Sequence, residues 1–293
     1  MAAVPTSKRP ALIQCAVPLR RQAAARSLGL LVLHSPTRTI PPTKPNKKSV
    51  RHSHMHTFTA LFGFGEGPAF SRVLNSVITN VIVVSPRNHF LFTPLLPSTA
   101  VGTLEFRAIQ EPVRSIPDIN FYLAKVDSID FDAKKVACIE NLDHNYKFSV
   151  DFDYLVLATG CDSNTFNVPG VMNNDRVFFL KQLRHARQIR NKIIECFEHS
   201  MNPSISLKEK KENLTFVIVG GGPTNIEFAA ELYDFIQKDV VHYYGQDLVD
   251  LVSVTVVEAS NHILGSFNSS IVSYVENIFK HRKVNVLTSL SVK

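Results

Sequence analysis

The chain is poor in cysteine. Its 293 residues hold four, Cys15, Cys138, Cys161 and Cys196, and no two of them form a C-x-x-C pair. Neither a redox-active disulfide nor a zinc knuckle is indicated, and reduced, partly buried thiols in a reducing compartment are the expectation. No apolar run reaches the ~18 residues that a membrane-spanning helix needs. Acid is missing from the start of the chain. Residues 1–56 carry ten Lys/Arg and no Asp or Glu, and the first carboxylate is Glu66. The other 237 residues carry 22 basic and 25 acidic side chains, a balance of −3, so the formal charge of +7 belongs to the N-terminal segment. The body is not a nucleic-acid binder by charge.

That segment is rich in Arg, Ser, Ala and Thr, with Arg20, Arg21 and Arg26 among small and apolar residues. This is the composition of a mitochondrial transit peptide; a basic tail with no address has the same look. Its longest apolar run, Leu28 to Leu33, is too short for a signal anchor, and Pro36 to Ser49 reads as linker. His52, His54 and His56 alternate. On an extended chain they would face one way, but in a tail of this kind a metal site is not the expectation, and no metal is assigned.

The body is 45% hydrophobic if the whole chain is counted, enough for about two domains with cores. Its centre of organisation is Leu214 to Leu232, LTFVIVGGGPTNIEFAAEL. Thr215 to Val219 is a short β-branched run of the kind that forms a buried parallel strand. Gly220, Gly221 and Gly222 follow, and Pro223 stands where a helix would start, ahead of Thr224 and Asn225. Strand, glycine turn and helix make a dinucleotide-binding unit, with the pyrophosphate on the helix N-terminus. Asn225 stands where the third glycine of G-x-G-x-x-G is usual, so looser packing of helix on strand is expected there. Leu251 to Val257 reads as the next strand and ends in Glu258. A carboxylate there accepts the ribose hydroxyls of NADH and repels the 2′-phosphate of NADPH. The gap from the glycines exceeds the usual ~20 residues; Tyr233 to Asp250 reads as a longer helix and a polar loop. An ordinary solvated strand end is the plain alternative for Glu258.

An earlier stretch repeats the pattern. Thr57 to Phe62 reads as a strand, Gly63, Gly65 and Gly67 as a turn, Ser71 to Val77 as a helix and Val81 to Val84 as a second strand. Two nucleotide units in one chain suggest two nucleotides and electron transfer between them. The first turn contains Glu66 and Pro68, and a carboxylate beside a pyrophosphate is unhelpful unless it points away.

Val83 to Arg114, VVSPRNHFLFTPLLPSTAVGTLEFRAIQEPVR, closely resembles the type II (alternative, non-proton-pumping) NADH dehydrogenases. Further matches follow in the family's order: Tyr154 to Gly160 (YLVLATG), Asn164 to Val171 (NTFNVPGV), Phe179 to Phe197, the glycine turn and VTVVEASNHIL. Asn167 stands where that family usually has glycine. The resemblance covers about Thr57 to Lys293. It implies an α/β fold of two Rossmann-like, FAD/NAD(P)-binding domains of the pyridine nucleotide-disulfide oxidoreductase type, incomplete at the C-terminus. The expected division is 1–56 presequence and linker, 57–176 FAD domain and 177–293 NADH domain.

The resemblance further implies hydride transfer from NADH to FAD and on to ubiquinone, in a respiratory flavoprotein peripheral to the mitochondrial inner membrane. It allows a homodimer and involves no nucleic acid. Ser85 and Arg87 would hold the adenosine end of FAD. Thr93 and Pro94, on a proline-braced loop, would face the flavin ring. Val126 and Ala124 would lie by the adenine, and Ala158, Thr159 and Gly160 would close over the cofactor. Glu227 resembles the carboxylate the family keeps near the nicotinamide; a helix-dipole Glu in the first turn is its bland reading. No side chain is assigned as a catalytic acid or base, since the cofactors carry the reaction. The family would continue past Lys293 with a flavin-binding Gly-Asp motif, the quinone site and membrane-docking helices. The competing reading is therefore a non-catalytic nucleotide-binding fragment or decayed copy, weak in FAD binding. A relative of the ferredoxin or disulfide reductases shares the fold, but the TPLLP stretch and the missing cysteine pair count against it.

Overall fold

The computed structural model describes residues 11–14, 56–62, 79–160, 163–172 and 174–292. In chain order the strands are β1 (Ala11–Gln14), β2 (His56–Phe62), β3 (Thr79–Ser85), β4 (His89–Leu91), β5 (Gln110–Pro112), β6 (Ile119–Asp130), β7 (Lys135–Glu140), β8 (Lys147–Asp151), β9 (Tyr154–Ala158), β10 (Val177–Phe178), β11 (Thr215–Val219), β12 (Ser253–Val257) and β13 (Asn285–Leu287). The helices used below are α1 (Leu96–Val101), α2 (Leu183–Met201), α3 (Leu207–Asn213), α4 (Pro223–Phe235) and α5 (Ser269–His281). The chain divides into two compact units.

One unit is a six-stranded sheet in the order β8-β7-β6-β3-β2-β9. β9, β2, β3 and β6 are parallel; β6, β7 and β8 form an antiparallel meander. β3 lies inside the sheet and is buried on both faces, which is why it reads as an unbroken apolar run. Its side chains alternate. Ile82 and Val84 pack with Ala124, Val136, Cys138 and Leu155, whereas Val81 and Val83 pack with Val113, Ile116, Phe121 and Val156. A tight turn at Asp130 to Lys135 joins β6 and β7: Asp130 Oδ1 accepts the N–H of Ala133 at 2.8 Å, and Lys134 takes a positive φ of 53°.

The other unit holds an all-parallel sheet in the order β10-β1-β11-β12-β13. β11 pairs in register with β12 from Thr215↔Ser253 to Val219↔Val257. Phe216 and Ile218 of β11 are fully buried, with Phe197 of α2, Phe228 and Leu232 of α4, and Phe279 of α5. α4 does not stop at Phe235. It runs through a π-helical turn, Ile236–Val240, into a further helical turn, Val241–Tyr244. That extra length accounts for the wide sequence gap between the glycines and Glu258. Phe92–Ile109 also belongs to this unit, where α1 packs on α2 and α4.

Within the stretch expected as presequence and linker lies β1, a parallel strand that pairs Leu12 with Val177 on one side and Val217 on the other. Four residues of extended chain are enough to fill one place in a parallel ladder, whatever the composition around them. The TPLLP stretch, expected as a proline-braced loop, is helical. Thr93–Leu95 is a 3-10 turn that runs straight into α1, with proline in the first two positions of each. Proline is tolerated there because those N–H groups have no helical partner. Phe179 to Phe197, which resembles the family's linker helix into the NADH domain, is helical only from Leu183.

Candidate functional site

The clearest site is the turn between β11 and α4. Gly220 has φ of +106°, a conformation costly for any other residue, and its N–H donates to Val257 O at 2.7 Å. Gly221 is needed for a different reason. A Cβ there would meet Cγ and Oε2 of Glu258 and Cγ2 of Ile263, each at 3.0 Å. Around Gly222 a Cβ would meet nothing within 4 Å, so the turn is open on that side. α4 follows with Pro223 in its first turn, and among the described residues no side chain caps its N-terminus. Backbone N–H groups and the helix dipole are thus left for an anion. Thr224 is half-buried beside them.

Glu258, one residue past β12, closes the turn from the neighbouring strand. Its Oε2 accepts the N–H of Gly221 at 2.5 Å and its Oε1 that of Ser260 at 2.6 Å. Burial alone would raise this carboxyl, but the hydrogen bonds from Ser260 and Gly221 outweigh it and hold the group below its ordinary value. Glu258 is therefore a brace of the glycine turn as well as a strand-end acid. The Ser260 hydroxyl and the Ala259 N–H also donate to it, so the turn itself occupies most of the roughly four acceptor positions of an ionised carboxylate.

Asn225 corrects the expectation of looser packing. It is 1% exposed, and its Nδ2 donates to Val219 O at 2.8 Å and to Gly220 O at 2.9 Å. The side chain that replaces glycine ties the helix to the strand end. Glu227 is exposed on α4; partial burial and the like charge of Glu231 raise its carboxyl above the ordinary value. Sequence reasoning passed over Glu231 itself, although it lies on the same helix face as Glu227, four residues on. Thr93 is half-buried and Pro94 exposed in the 3-10 turn ahead of α1.

In the other unit, Ser85 ends β3 and is 4% exposed, accepting the N–H of Arg87 on its Oγ at 3.2 Å. Burial lowers the Arg87 guanidinium from its usual value. The loop is held from the meander by Asn141, whose Nδ2 donates to Pro86 O at 3.1 Å. Val126 sits on β6 at a bulge and is 37% exposed; Ala124 is fully buried in the sheet core. Ala158 ends β9 beside β2, with Thr159 and Gly160 exposed after it. Gly63, Gly65 and Gly67, the helix expected over Ser71 to Val77, and His52 and His54 lie outside the described residues. Cys138 and Cys196 are free and buried, and burial pushes the Cys138 thiol up to about 11.

The sequence profile described as pyridine nucleotide-disulphide oxidoreductase matches residues 67–293. The chain is 43% identical over 244 residues to the external alternative NAD(P)H-ubiquinone oxidoreductase B3, mitochondrial, of Arabidopsis thaliana, covering 80% of this chain and 42% of that protein. It is 45% identical over 238 residues to the probable NADH dehydrogenase of Dictyostelium discoideum, covering 80% of this chain and 52% of that one. Among solved structures it is similar to Plasmodium falciparum NDH2 in complex with NADH, at 33% identity and a TM-score of 0.74, over 80% of this chain and 48% of that one. The chain thus spans about two fifths to one half of the length of the proteins it matches. More than three quarters of its own length lies within the matched profile, and on that ground the chain belongs to the pyridine nucleotide-disulphide oxidoreductase family.

Proposed function

We propose that this protein oxidises NADH and delivers the electrons through FAD to ubiquinone, without moving protons across a membrane. The observation that carries the reading is the clasp between Gly221 and Glu258 beneath an uncapped helix N-terminus. It joins the two things a dinucleotide needs, a pyrophosphate cradle and a ribose acceptor, in one rigid turn. The named likenesses, an NAD(P)H-ubiquinone oxidoreductase, an NADH dehydrogenase and an NDH2 in complex with NADH, support the same reading.

The residues fit NADH. The open side of Gly222 admits the pyrophosphate, with Gly220, Gly221, Pro223, Thr224 and Asn225 shaping the turn around it. Glu258 stands at the strand end, where the ribose hydroxyls of NADH would reach a carboxylate. Glu227, whose carboxyl is raised by partial burial and by the like charge of Glu231, would stand toward the nicotinamide end. The described part of the flavin site fits as well. Ser85 and Arg87 stand where parallel strand ends open a crevice, the usual place for an adenosine. Val126 offers apolar surface to the adenine. Ala158, Thr159 and Gly160 would close over the cofactor. When bound, FAD supplies the two-electron relay between NADH and the quinone. The protein's part is to orient both groups and exclude water, so no acid or base need be assigned.

We further propose a peripheral position on the mitochondrial inner membrane. Among the described residues no helix is long and apolar enough to cross a membrane. A reporter fused to residues 1–56 that stays in the cytosol would remove the address. The function itself is tested by NADH oxidation that depends on an added ubiquinone analogue. Turnover without quinone dependence, or no turnover with flavin bound, speaks against it.

A further inference from the structure

We propose that Glu231 is a positioning residue of the nucleotide site. Its carboxylate holds α1, and with it the Thr93–Pro94 turn, on the helix that starts at the glycine turn. The inference rests on the reading of that turn as an NADH site. Glu231 lies on α4, eight residues after Pro223 and one helical step beyond Glu227. Like charges at that spacing disfavour a helix, so a second carboxylate on this face needs partners. Both of its oxygens have one. Oε1 accepts from Ser98 Oγ at 2.9 Å and Oε2 from Thr103 Oγ1 at 3.2 Å.

These two hydroxyls bracket the C-terminal end of α1. Ser98 O accepts the N–H groups of Gly102 at 3.1 Å and Thr103 at 3.0 Å, and Gly102 caps the helix in the left-handed region at φ +91°. The cap is gripped from the far side as well. A Cβ on Gly102 would meet Arg190 Cζ at 2.9 Å, and the Arg190 guanidinium lies over the Phe106 ring at 5.7 Å. α1 is thus set between Glu231 of α4 and Arg190 of α2. Packing supplies no polar tie from α1 to α4: the buried residues Leu96, Pro97, Ala100 and Val101 are apolar, and the buried Thr99 hydroxyl is spent on Leu96 O within α1 itself at 2.8 Å. The two charge-assisted hydrogen bonds fix the register. Since the Thr93–Leu95 turn runs into α1 without a break, fixing α1 fixes Thr93 and Pro94.

The test compares Glu231→Ala and Glu231→Gln with the wild-type protein. Hydrogen exchange of the α1 amides reports the brace, and NADH fluorescence titration from acid to neutral pH reports the site. Glu231→Ala should speed α1 exchange about tenfold, the worth of one hydrogen bond to a charged group. It should weaken NADH by roughly fivefold, the scale of a coupling between linked sites. It should also move the pH dependence of NADH binding toward acid, because Glu227 loses its like-charged neighbour. Glu231→Gln keeps a carbonyl acceptor and adds an N–H donor that a hydroxyl can accept, so it should restore slow exchange and most of the affinity. Unchanged α1 exchange in Glu231→Ala overturns the inference alone. Faster exchange with unaltered NADH affinity and pH dependence also overturns it, leaving a brace with no bearing on the site. If wild-type protein binds no NADH, the functional reading falls first and this inference with it.

Discussion

Glu258 Oε2 accepts the N–H of Gly221, 37 residues earlier in the chain, at 2.5 Å. The acid that ends one strand thereby fixes the glycine turn that ends its neighbour. Shape of the phosphate cradle and choice of nucleotide depend on the same carboxylate.

Glu258→Gln should therefore do two things at once. The amide oxygen can take one of the two N–H groups, while its NH2 faces a donor, so one contact becomes unfavourable. NADH affinity should fall about tenfold, the worth of a hydrogen bond to a charged group. NADPH should lose less, because the repulsion of its 2′-phosphate goes as well. Titration of both nucleotides against wild type and variant measures this. An unchanged affinity ratio removes Glu258 as the selector.

Gly221→Ala and Gly222→Ala should behave differently. At Gly221 the new methyl meets Glu258 and Ile263 at 3.0 Å. Overpacking of that kind costs about 1–3 kcal/mol, which denaturant unfolding would register. At Gly222 the methyl meets no protein atom within 4 Å, so stability should hardly change. Its effect should appear only in NADH binding, where it obstructs the pyrophosphate. Equal loss of stability in both variants would contradict the geometry.

Asn225→Ala should destabilise the protein by about 1–3 kcal/mol, because the Val219 and Gly220 carbonyls lose a buried donor. A thermal melt within error of wild type would mean that the clamp does not hold the strand end.

Acid should weaken the fold through Glu258. Its folded-state value lies below the ordinary one, held there by backbone N–H groups against the effect of burial. The stability it contributes is complete above the unfolded carboxylate value of about 4.3 and is lost as pH falls through the folded value. Glu227 acts in the opposite sense. Its raised value makes it withdraw stability as pH rises through the carboxylate range. Urea unfolding from pH 3 to 7 should show a shallower acid limb for Glu258→Gln than for wild type. Parallel limbs would exclude Glu258 as the acid-sensitive group.

How much of this could be read in the sequence depended on range. β11, the helix from Pro223 and the strand ending near Glu258 were legible because each is announced locally, by an apolar run, a glycine turn or a proline at a helix start. The role of Asn225 was not, because a residue type does not reveal which way a buried amide turns. Two prolines around Thr93 to Pro97 suggested a rigid loop, since the residue before proline avoids the helical region. They lie instead at helix starts, where that restriction costs little. β1 was hidden by its surroundings: four residues inside a basic, acid-free stretch carry too little pattern to stand out. The contacts of Glu231 join residues 133 and 128 positions apart, and only the fold brings them together.

The most direct test of the account is to load the purified protein with FAD, exclude oxygen and add NADH while following the flavin absorbance band. The account predicts that NADH bleaches the band, that NADPH does so far less effectively, and that a ubiquinone analogue restores it. A protein that takes up flavin yet keeps its band unchanged with saturating NADH, or one that takes up no flavin at all, would contradict it.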